Sequence, residues 1–391
     1  MKGKRMKATT PKFLAVTSFV AALTLLAGCS SGDSAEPAES PDAAPVADWQ
    51  EGAPAEWAEI LEKGQAEGEV VLDSSPELQQ SDFAARFEAD TGIKIVSAAG
   101  ESSARYTAME QEAQANQLSI DVSLGGGTEL GMIDQGLLQD IKAQMILPNV
   151  TDPDNWVGGD GPTWMDDEGK YMLRSSNYVF GWAIVNSDTF DAEEFDSWDD
   201  LLDPKYKGKI ATYDPLSGPG QAVSAFFYDA LGEEFVEDLY VGQELVPTTD
   251  RRQLIEWVAR GTYDIALGGT QAELERFARE GLPVTGVMPR EGIGQYTGGS
   301  GVLKQPLNAN GSLTPHPNAA QVFINWFAST AGQQAYGDAM LEVTTRNDVD
   351  LSKIPDYVKP EEDREYIDTY EEHWYTVVRN EVAAELRTML E

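Results

Sequence analysis

Short apolar runs alternate with helix-like segments over much of the chain. EVVLDS (69–74), IKIVSA (93–98) and SIDVSL (119–124) are such runs, and a segment with helical spacing follows each of them. Phe83 and Phe87, for example, are spaced so that they share one face of a helix. Strands and helices that alternate at these lengths predict a parallel sheet covered by helices.

A second series of the same kind follows in the middle of the chain. The run YVFGWAIVNS (178–187) predicts one long strand, because its polar and apolar residues do not alternate cleanly. Further apolar runs occur at 209–215, 263–269 and 282–289, and a helix is predicted at about 220–231. The pattern therefore predicts a second domain of the same α/β architecture.

Three other segments are predicted to be helical. GGGTELGMIDQGLL (125–138) is expected to begin a helix after the third strand. AAQVFINWFASTAGQQAYG (319–337) places its large apolar residues on one face, which is typical of a helix packed on a core. The acidic, aromatic tail is predicted to be helical from about Glu361.

The N-terminus predicts an export signal. Basic residues through Lys12 precede a mostly apolar run from Phe13 to Gly28, which is too short for an ordinary membrane span. The run ends in LAGC, and Cys29 is the only cysteine in the sequence, which excludes an intrachain disulfide. These residues resemble the bacterial lipoprotein signal, which implies removal of residues 1–28 and lipid attachment at Cys29.

Residues 29–55 are predicted to be a disordered tether. They are mainly Ser, Ala, Pro, Gly and acidic residues, with Val46 and Trp49 as the larger apolar exceptions. Such a segment buries too little apolar surface to order itself. With a lipid at Cys29, the tether predicts a folded body held at the cell surface, on the outer face of the cytoplasmic membrane.

The charge of the chain argues against a nucleic-acid partner. The 391 residues carry a formal net charge of −38, and the first 28 residues contribute five basic residues and no acidic ones. Without them, 23 basic residues oppose 66 acidic residues, a charge of −43. A surface so negative repels phosphate backbones.

Motifs for catalysis are weak. The chain has two histidines, His316 between prolines and His373 in the acidic tail, and neither belongs to a recognisable catalytic triad or metal motif. GGTELG (126–131) has the glycine spacing of a phosphate loop but lacks the Gly-Lys-Ser/Thr that completes it. We therefore expect no enzyme, no cofactor and no resident metal.

Small polar residues follow the ends of several predicted strands. In open α/β sheets, ligands bind beyond the carboxyl ends of the strands, where helix N-termini offer unpaired amides. Two such domains facing each other would form a cleft that is lined from both sides. The polar strand ends are Ser74-Ser75, Ser102-Ser103, Gly126-Gly127-Thr128, Ser217-Gly218 and Gly269-Thr270.

Several longer motifs resemble one family of proteins. They are SWDDLLDPKYKGKIATYDP (197–215), HPNAAQVFINWFASTAGQQAYG (316–337), TTRNDV (344–349) and GWAIVNSD (181–188). Together they resemble type II extracytoplasmic solute-binding proteins of ABC importers, in the branch that binds ferric iron or sugar phosphates. The resemblance implies a monomeric receptor that delivers a small-molecule solute to membrane permease subunits.

The resemblance also implies the fold. Members of the family have two doubly wound α/β domains joined by a hinge, the periplasmic-binding-protein type II arrangement. The expected boundaries are 57–177 plus 287–345 for the first domain and 178–286 plus 346–391 for the second, which includes the tail. Crossing segments are expected near 176–182 and 285–291.

The ferric members of the family hold iron with two adjacent tyrosines after the strand that corresponds to YDIALGG. Here that place reads Gly268-Gly269-Thr270-Gln271, so neither tyrosine is present. Glycines and a threonine suit a neutral or anionic solute, such as a sugar phosphate or phosphonate, better than a bare hard cation. The residues expected to bind it are Ser75, Ser103, Thr128, Asn177, Asp214, Ser217, Gly269 and Thr270.

Three alternatives stay open on the sequence. One is a ferric receptor that uses Tyr178 or Tyr296 with acidic residues and a bound anion. Another is a polyamine receptor with Trp164, Trp182 and Asp214, and the last is a structural or adhesive lipoprotein without a ligand cleft. Arg105 and Arg252 offer counter-charges to an anion, although both also fit pairing on helix surfaces.

Overall fold

The computed structural model describes residues 48–98, 102–298, 301–361 and 364–390, apart from the side chains of residues 102–104. The predicted signal, Cys29 and most of the predicted tether lie outside the described residues. Trp49, near the end of the predicted tether, is buried, and its ring packs edge-on against Trp57 with 5.7 Å between centroids. In the described ranges we find no helix that combines the length and apolarity needed to cross a membrane.

Short strands and helices alternate along the described chain. The strands are β1 (Glu69–Asp73), β2 (Lys94–Ser97), β3 (Val122–Gly125), β4 (Leu173–Arg174), β5 (Tyr178–Phe180), β6 (Ala183–Asn186), β7 (Ile210–Tyr213), β8 (Val246–Thr248), β9 (Ile265–Leu267), β10 (Val284–Val287), β11 (Gly294–Thr297), β12 (Val302–Lys304) and β13 (Tyr366–Asp368). The α-helices are α1 (Ala55–Glu67), α2 (Pro76–Gln79), α3 (Phe83–Thr91), α4 (Ser102–Ala115), α5 (Pro148–Thr151), α6 (Gly218–Leu231), α7 (Glu233–Glu237), α8 (Arg251–Ala259), α9 (Gln271–Arg279), α10 (Pro317–Ala328), α11 (Thr330–Met340) and α12 (Arg379–Leu390).

The first lobe is built on a five-stranded sheet in the order β2-β1-β3-β12-β4. β1 is parallel to β2 and β3, as the strand–helix pattern predicts, whereas β12 is antiparallel to β3 and β4. Aromatic rings pack between α3 and α10 in this lobe. The Phe87 ring centroid lies 5.3 Å from that of Phe323 and 5.1 Å from that of Trp326. The predicted apolar helix faces are thus confirmed.

The second lobe is built on another five-stranded sheet, in the order β10-β6-β9-β7-β8. β7 is parallel to β8 and β9, while β6 is antiparallel to β9 and β10. The expectation of an α/β fold with two sheets of this kind is confirmed. A small sheet in the order β13-β11-β5 supplies the strands through which the chain passes from one lobe to the other.

The predicted long strand at 178–187 is wrong, because two strands of different sheets occupy it. β5 and β6 are separated by Gly181, whose φ of +77° lies in the left-handed region that glycine tolerates best. A Cβ at this position would lie 3.0 Å from Gln295 Oε1. The bend lets a single apolar run leave the small crossing sheet and enter the second lobe.

The tail differs from its predicted helix. Tyr366–Asp368 forms β13, which pairs in parallel with β11, and the Tyr366 ring stacks on Tyr296 with centroids 4.4 Å apart. Helical structure begins at Glu372, passes through a π-helical turn at Trp374–Val378 and continues as α12 from Arg379. The helix predicted for 125–138 is also shorter, since Thr128–Met132 forms a 3₁₀ turn.

Candidate functional site

One cavity of about 780 Å³ receives residues from both lobes and from the C-terminal segment. It lies at the carboxyl ends of β1, β3 and β7 and after the end of β9. Ligands of open α/β sheets bind at this position. Its polar and charged lining is Asp73, Ser74, Ser75, Glu77, Arg105, Thr128, Glu129, Thr249, Asp250, Arg251, Arg252, Thr270, Gln271, Glu273, Thr297, Glu342 and Arg379, with Tyr178, Tyr213, Tyr370 and Tyr375.

A buried charge network forms the wall from the first lobe. Asp73 pairs with Arg105, and Glu129 Oε2 lies 3.0 Å from Lys304 Nζ. Ser123 Oγ lies 3.3 Å from a carboxylate oxygen of both Asp73 and Glu129 and so connects the pairs. Burial raises the pKa of Asp73 above its ordinary value, although Arg105 and Lys304 act to lower it. Two cations thus balance two carboxylates, and the wall presents fixed polar atoms.

The wall from the second lobe begins at Thr270, the residue before α9. Thr270 Oγ1 is buried and has no hydrogen-bond partner among the described residues. The next residue, Gln271, donates from Nε2 to Met340 O and to Glu342 Oε1, both at 3.1 Å. Glu342 also accepts from Tyr336 OH at 2.7 Å, so this carboxylate is held by the protein itself.

Phenol rings line another part of the cavity. Burial raises the pKa of Tyr178 well above its ordinary value, and the nearby Glu342 acts in the same direction. Burial raises the pKa of Tyr370 as well. Both phenols are therefore neutral hydrogen-bonding groups at neutral pH.

An ion pair joins the two lobes at the cavity. Arg251 Nη1 lies 3.2 Å from Glu77 Oε1, and the two residues belong to α8 of the second lobe and α2 of the first. Both side chains are partly exposed, so the pair contributes no more than about 1 kcal/mol. It is a contact between the lobes within the lining of the cavity.

Three of the residues expected from the sequence line this cavity: Ser75, Thr128 and Thr270. Ser75 caps α2, since its Oγ accepts from Leu78 N at 3.3 Å, and Thr128 Oγ1 donates to Glu129 Oε2 at 3.0 Å. The side chain of Ser103 lies outside the described residues, although α4 begins at Ser102.

The other expected residues are engaged away from the lining. Asn177 Oδ1 accepts from Arg174 Nη2 at 2.6 Å, and Ser217 Oγ donates to Asp214 Oδ2 at 2.9 Å within the turn after β7. A Cβ on Gly269 would lie 2.4 Å from Ile184 Cδ1, so packing against β6 accounts for this glycine.

Some of the residues expected from the ferric, polyamine and counter-charge hypotheses line the cavity, and others do not. Arg105, Arg252 and Tyr178 line the cavity, whereas Tyr296, Trp164 and Trp182 do not. Among the residues that the structure describes, no group of three or more His, Cys, Asp or Glu side chains is placed to hold a metal ion.

Some lining residues were not predicted from the sequence: Arg251, Glu129 and Gln271, and Tyr370, Tyr375 and Arg379 of the tail. Arg251 and Gln271 stand beside Arg252 and Thr270, so their proximity could have been anticipated. The tail residues are not adjacent in the sequence to any predicted binding residue, and they lie beside the cavity only in the folded chain.

Comparison with known proteins connects this geometry to a family. Residues 74–334, more than half of the chain, match the family model described as bacterial extracellular solute-binding protein. A curated relative, an uncharacterized protein of Haemophilus influenzae, is 30% identical over 149 residues, or 35% of this chain. The match spans 38% of the length of that relative.

Solved structures share the fold at low sequence identity. Iron-bound HitA from Pseudomonas aeruginosa has a TM-score of 0.58 and 17% identity, with 82% of this chain and 97% of that chain covered. IdiA (FutA) of Trichodesmium, in complex with iron and citrate, has a TM-score of 0.60 and 18% identity, with coverages of 82% and 99%. AfuA of Actinobacillus pleuropneumoniae, with fructose-6-phosphate bound, has a TM-score of 0.56 and 20% identity, with coverages of 82% and 98%.

Proposed function

The chain belongs to the family of bacterial extracellular solute-binding proteins, and on that basis we propose that it captures a small polar or anionic solute for an ABC importer. In this role the protein holds the solute outside the cytoplasm and delivers it to the permease subunits in the membrane. The two-domain fold of type II periplasmic binding proteins suits the task, because closure of two lobes can report occupancy to a permease.

The observation that carries the proposal is the cavity lined from both lobes. Its volume of about 780 Å³ is within the range of roughly 300–1,000 Å³ that is usual for small-molecule sites. A ligand between Thr270 and the network of Asp73 and Glu129 contacts both lobes at once. Such contacts exist only in the closed state, so binding favours closure.

The lining supports a phosphorylated sugar, a phosphonate or a similar solute. Four arginines and the unpartnered Thr270 hydroxyl supply donors for an oxyanion. The carboxylates of the first-lobe wall can accept hydrogen bonds from hydroxyl groups of a sugar. A structural neighbour, AfuA, was solved with fructose-6-phosphate bound, which is in keeping with this class of solute.

Two observations support the alternative of ferric iron. Tyr178 lines the cavity, and two structural neighbours contain iron. The adjacent tyrosine pair of ferric members is missing from the chain, so iron would need other oxygen ligands together with a bound anion. A polyamine has the six carboxylates of the lining in its favour, but Trp164, Trp182 and Asp214, the residues expected to hold it, lie outside that lining.

The remaining parts of the proposal concern location and assembly. We expect a monomer without enzymatic activity, tethered to the outer face of the cytoplasmic membrane through lipid on Cys29. The test of the anchor is labelling with radioactive palmitate in the native host. Loss of the label in Cys29→Ser supports lipidation, and a label that persists in this variant refutes it.

Native mass spectrometry of protein purified without refolding tests the solute. We expect a co-purified anionic metabolite, and thermal stabilisation of the emptied protein by fructose 6-phosphate but not by spermidine. At one hundred times Kd, a ligand stabilises the native state by about 2.7 kcal/mol. A visible charge-transfer band with ferric citrate would favour the iron alternative. A protein that is purified without a bound ligand and whose melting temperature no member of a broad metabolite panel raises would contradict the receptor function.

A further inference from the structure

We propose that the C-terminal segment, residues 366–390, forms a third wall of the ligand site and that Arg379 binds the anionic group of the solute. This inference rests on the proposed function and assigns a role within the same cavity. Tyr370, Tyr375 and Arg379 of the segment line that cavity.

The segment reaches the cavity because it is fastened to both lobes. Tyr375 OH accepts a hydrogen bond from Gly127 N, at 3.3 Å, after β3 of the first lobe. Trp374 Nε1 donates to Asp229 Oδ2, at 3.0 Å, on α6 of the second lobe. These two adjacent residues therefore fasten the segment to both lobes where it lines the cavity.

The charges of the lining single out Arg379. Four arginines line the cavity, and each of the other three has a carboxylate partner. Their ion pairs are Arg105–Asp73, Arg251–Glu77 and Arg252–Glu256.

Arg379 has neutral partners instead. Its Nε donates to Gln221 Oε1 at 3.1 Å, and its Nη2 donates to Gly218 O at 3.2 Å. Among the described residues no carboxylate pairs with it, and its Nη1 makes no hydrogen bond. Two bonds thus position the guanidinium, which keeps its charge and has three of its five N–H groups without a partner among the described residues.

The aromatic side chains of the segment complete the wall. The Arg379 guanidinium lies 4.8 Å from the centroid of the Tyr375 ring, and Tyr370 and Tyr375 pack edge-on at 5.2 Å. Such a contact fixes the plane of the guanidinium. A planar, oriented fork is suited to two oxygens of one phosphate or phosphonate group.

The distribution of charge favours a solute with both an anionic group and hydroxyl groups. Arg379 is the lining guanidinium that is left without a carboxylate partner in the described chain, so it takes the anionic group. Asp73 and Glu129, in the wall from the first lobe, accept from hydroxyls. A phosphorylated sugar carries both kinds of group.

Isothermal titration with fructose 6-phosphate tests this assignment on the full chain and two variants. Arg379→Gln removes the charge inside the cavity, and Arg387→Gln removes the same charge from the exposed face of the same helix. We expect Arg379→Gln to weaken binding by about 30-fold, as for a lost charge-assisted hydrogen bond, and Arg387→Gln to weaken it less than 3-fold. Arg379→Lys should recover part of the affinity, because it restores the charge without the fork.

The outcomes separate this inference from the proposed function. If the wild-type protein binds fructose 6-phosphate and Arg379→Gln binds it equally well, the assignment of Arg379 is wrong and the receptor function stands. If the wild-type protein binds neither fructose 6-phosphate nor inorganic phosphate, both the anionic solute and this role for the segment are refuted. Melting temperatures of the ligand-free variants show whether a loss of affinity reflects unfolding instead, and an affinity loss that tracks a lower melting temperature overturns a direct contact.

Discussion

Thr270 shows how a single side chain can be prepared for a ligand. Its hydroxyl is buried at the cavity wall without a hydrogen-bond partner among the described residues, although burying an unpaired hydroxyl costs free energy. Ser75 and Ser329, by contrast, use their oxygen to cap the starts of α2 and α11. The hydroxyl of Thr270 makes no such bond in the described chain, so its hydrogen-bonding capacity is unused there.

Replacing Thr270 with valine should separate binding from stability. Valine keeps the shape but removes the hydroxyl, so we expect about 10-fold weaker binding of the solute, equivalent to one neutral hydrogen bond. The urea midpoint of the empty protein should be unchanged or slightly higher. Thr388→Val, on the exposed face of α12, is the matched control. Equal affinities of the two variants, measured by titration calorimetry, would exclude a contact at Thr270.

Arg346 gives a structural reason for the TTRNDV motif. Its buried guanidinium donates to Ala328 O at the end of α10, at 3.0 Å, and to both carboxylate oxygens of Asp348, at 2.6 and 2.7 Å. Burial acts to raise the pKa of Asp348, but hydrogen bonds from Arg346 and Thr330 hold it below its ordinary value of 3.8. The motif therefore fastens the chain after α11 to the end of α10.

The lowered pKa of Asp348 predicts a pH-dependent loss of stability. Because the folded carboxyl is the stronger acid, its pair stabilises the protein above about pH 4, and this contribution disappears as the pH falls through the folded pKa. We expect Asp348→Asn to lower the unfolding free energy by about 2 kcal/mol at neutral pH and by less near pH 3. Urea melts across this range measure the difference, with the fully exposed Asp356→Asn as the control. A difference that stays constant with pH would argue against the ion pair.

At the scale of elements, the join between β7 and α6 depends on Gly220. A Cβ on this residue would lie 2.2 Å from Asp214 O and 2.5 Å from Tyr213 O, which are backbone atoms that cannot move without moving the strand. The glycine lets α6 start directly against the end of β7. Gly218 and Pro219 at that start are thereby placed in the lining of the cavity.

Gly220→Ala should therefore destabilise the second lobe. We expect the unfolding free energy to fall by about 3 kcal/mol, because the added methyl group meets backbone rather than a flexible side chain. Gly242→Ala is a suitable comparison, since its nearest neighbouring atom would be 3.7 Å away and alanine is the better helix former. If Gly220→Ala and Gly242→Ala have the same urea midpoint, the close approach of α6 to β7 is not as tight as described.

At the scale of the whole molecule, the net charge of −38 opposes compaction and the approach of an anion. Inside the cavity, three of the four lining arginines pair with carboxylates, and Arg379 is left to attract an anion. Exposed charges interact through solvent and are screened, whereas groups inside the cavity are screened much less. Long-range repulsion and local attraction can therefore coexist in one protein.

Salt should stabilise the fold. When sodium chloride rises from about 0.01 M to about 0.15 M, the Debye length falls from ~30 Å to ~8 Å, and repulsion between distant acidic groups weakens. We expect the urea midpoint to rise over this range, and potassium chloride to act in the same way. A midpoint that falls would mean that exposed ion pairs such as Lys63–Glu59 outweigh the general repulsion.

The sequence by itself determined the class of fold and the family. Periodicity fixed most strands and the helix faces around Phe87 and Phe323, because burial of one face repeats at the spacing of each element. The predictions from periodicity are wrong where a partner distant in the sequence determines the secondary structure. Gly181 divides one apolar run between two sheets, and Tyr366 becomes part of a strand because β11 is there to pair with it.

Tertiary structure decided which polar residues share a cavity. The ends of strands can be recognised from neighbouring residues in the sequence. Ser75, Thr128 and Thr270 were therefore predicted to bind the solute, and these three line the cavity. Asp214 and Ser217 have the same local appearance but bond to each other, and Gly269 is packed against Ile184. Arg379 lies more than one hundred residues from Thr270 along the chain, and only folding brings both to one site. Local sequence determines where a strand ends. The charge balance of a site, however, depends on every segment of the chain that lies beside it in the folded protein.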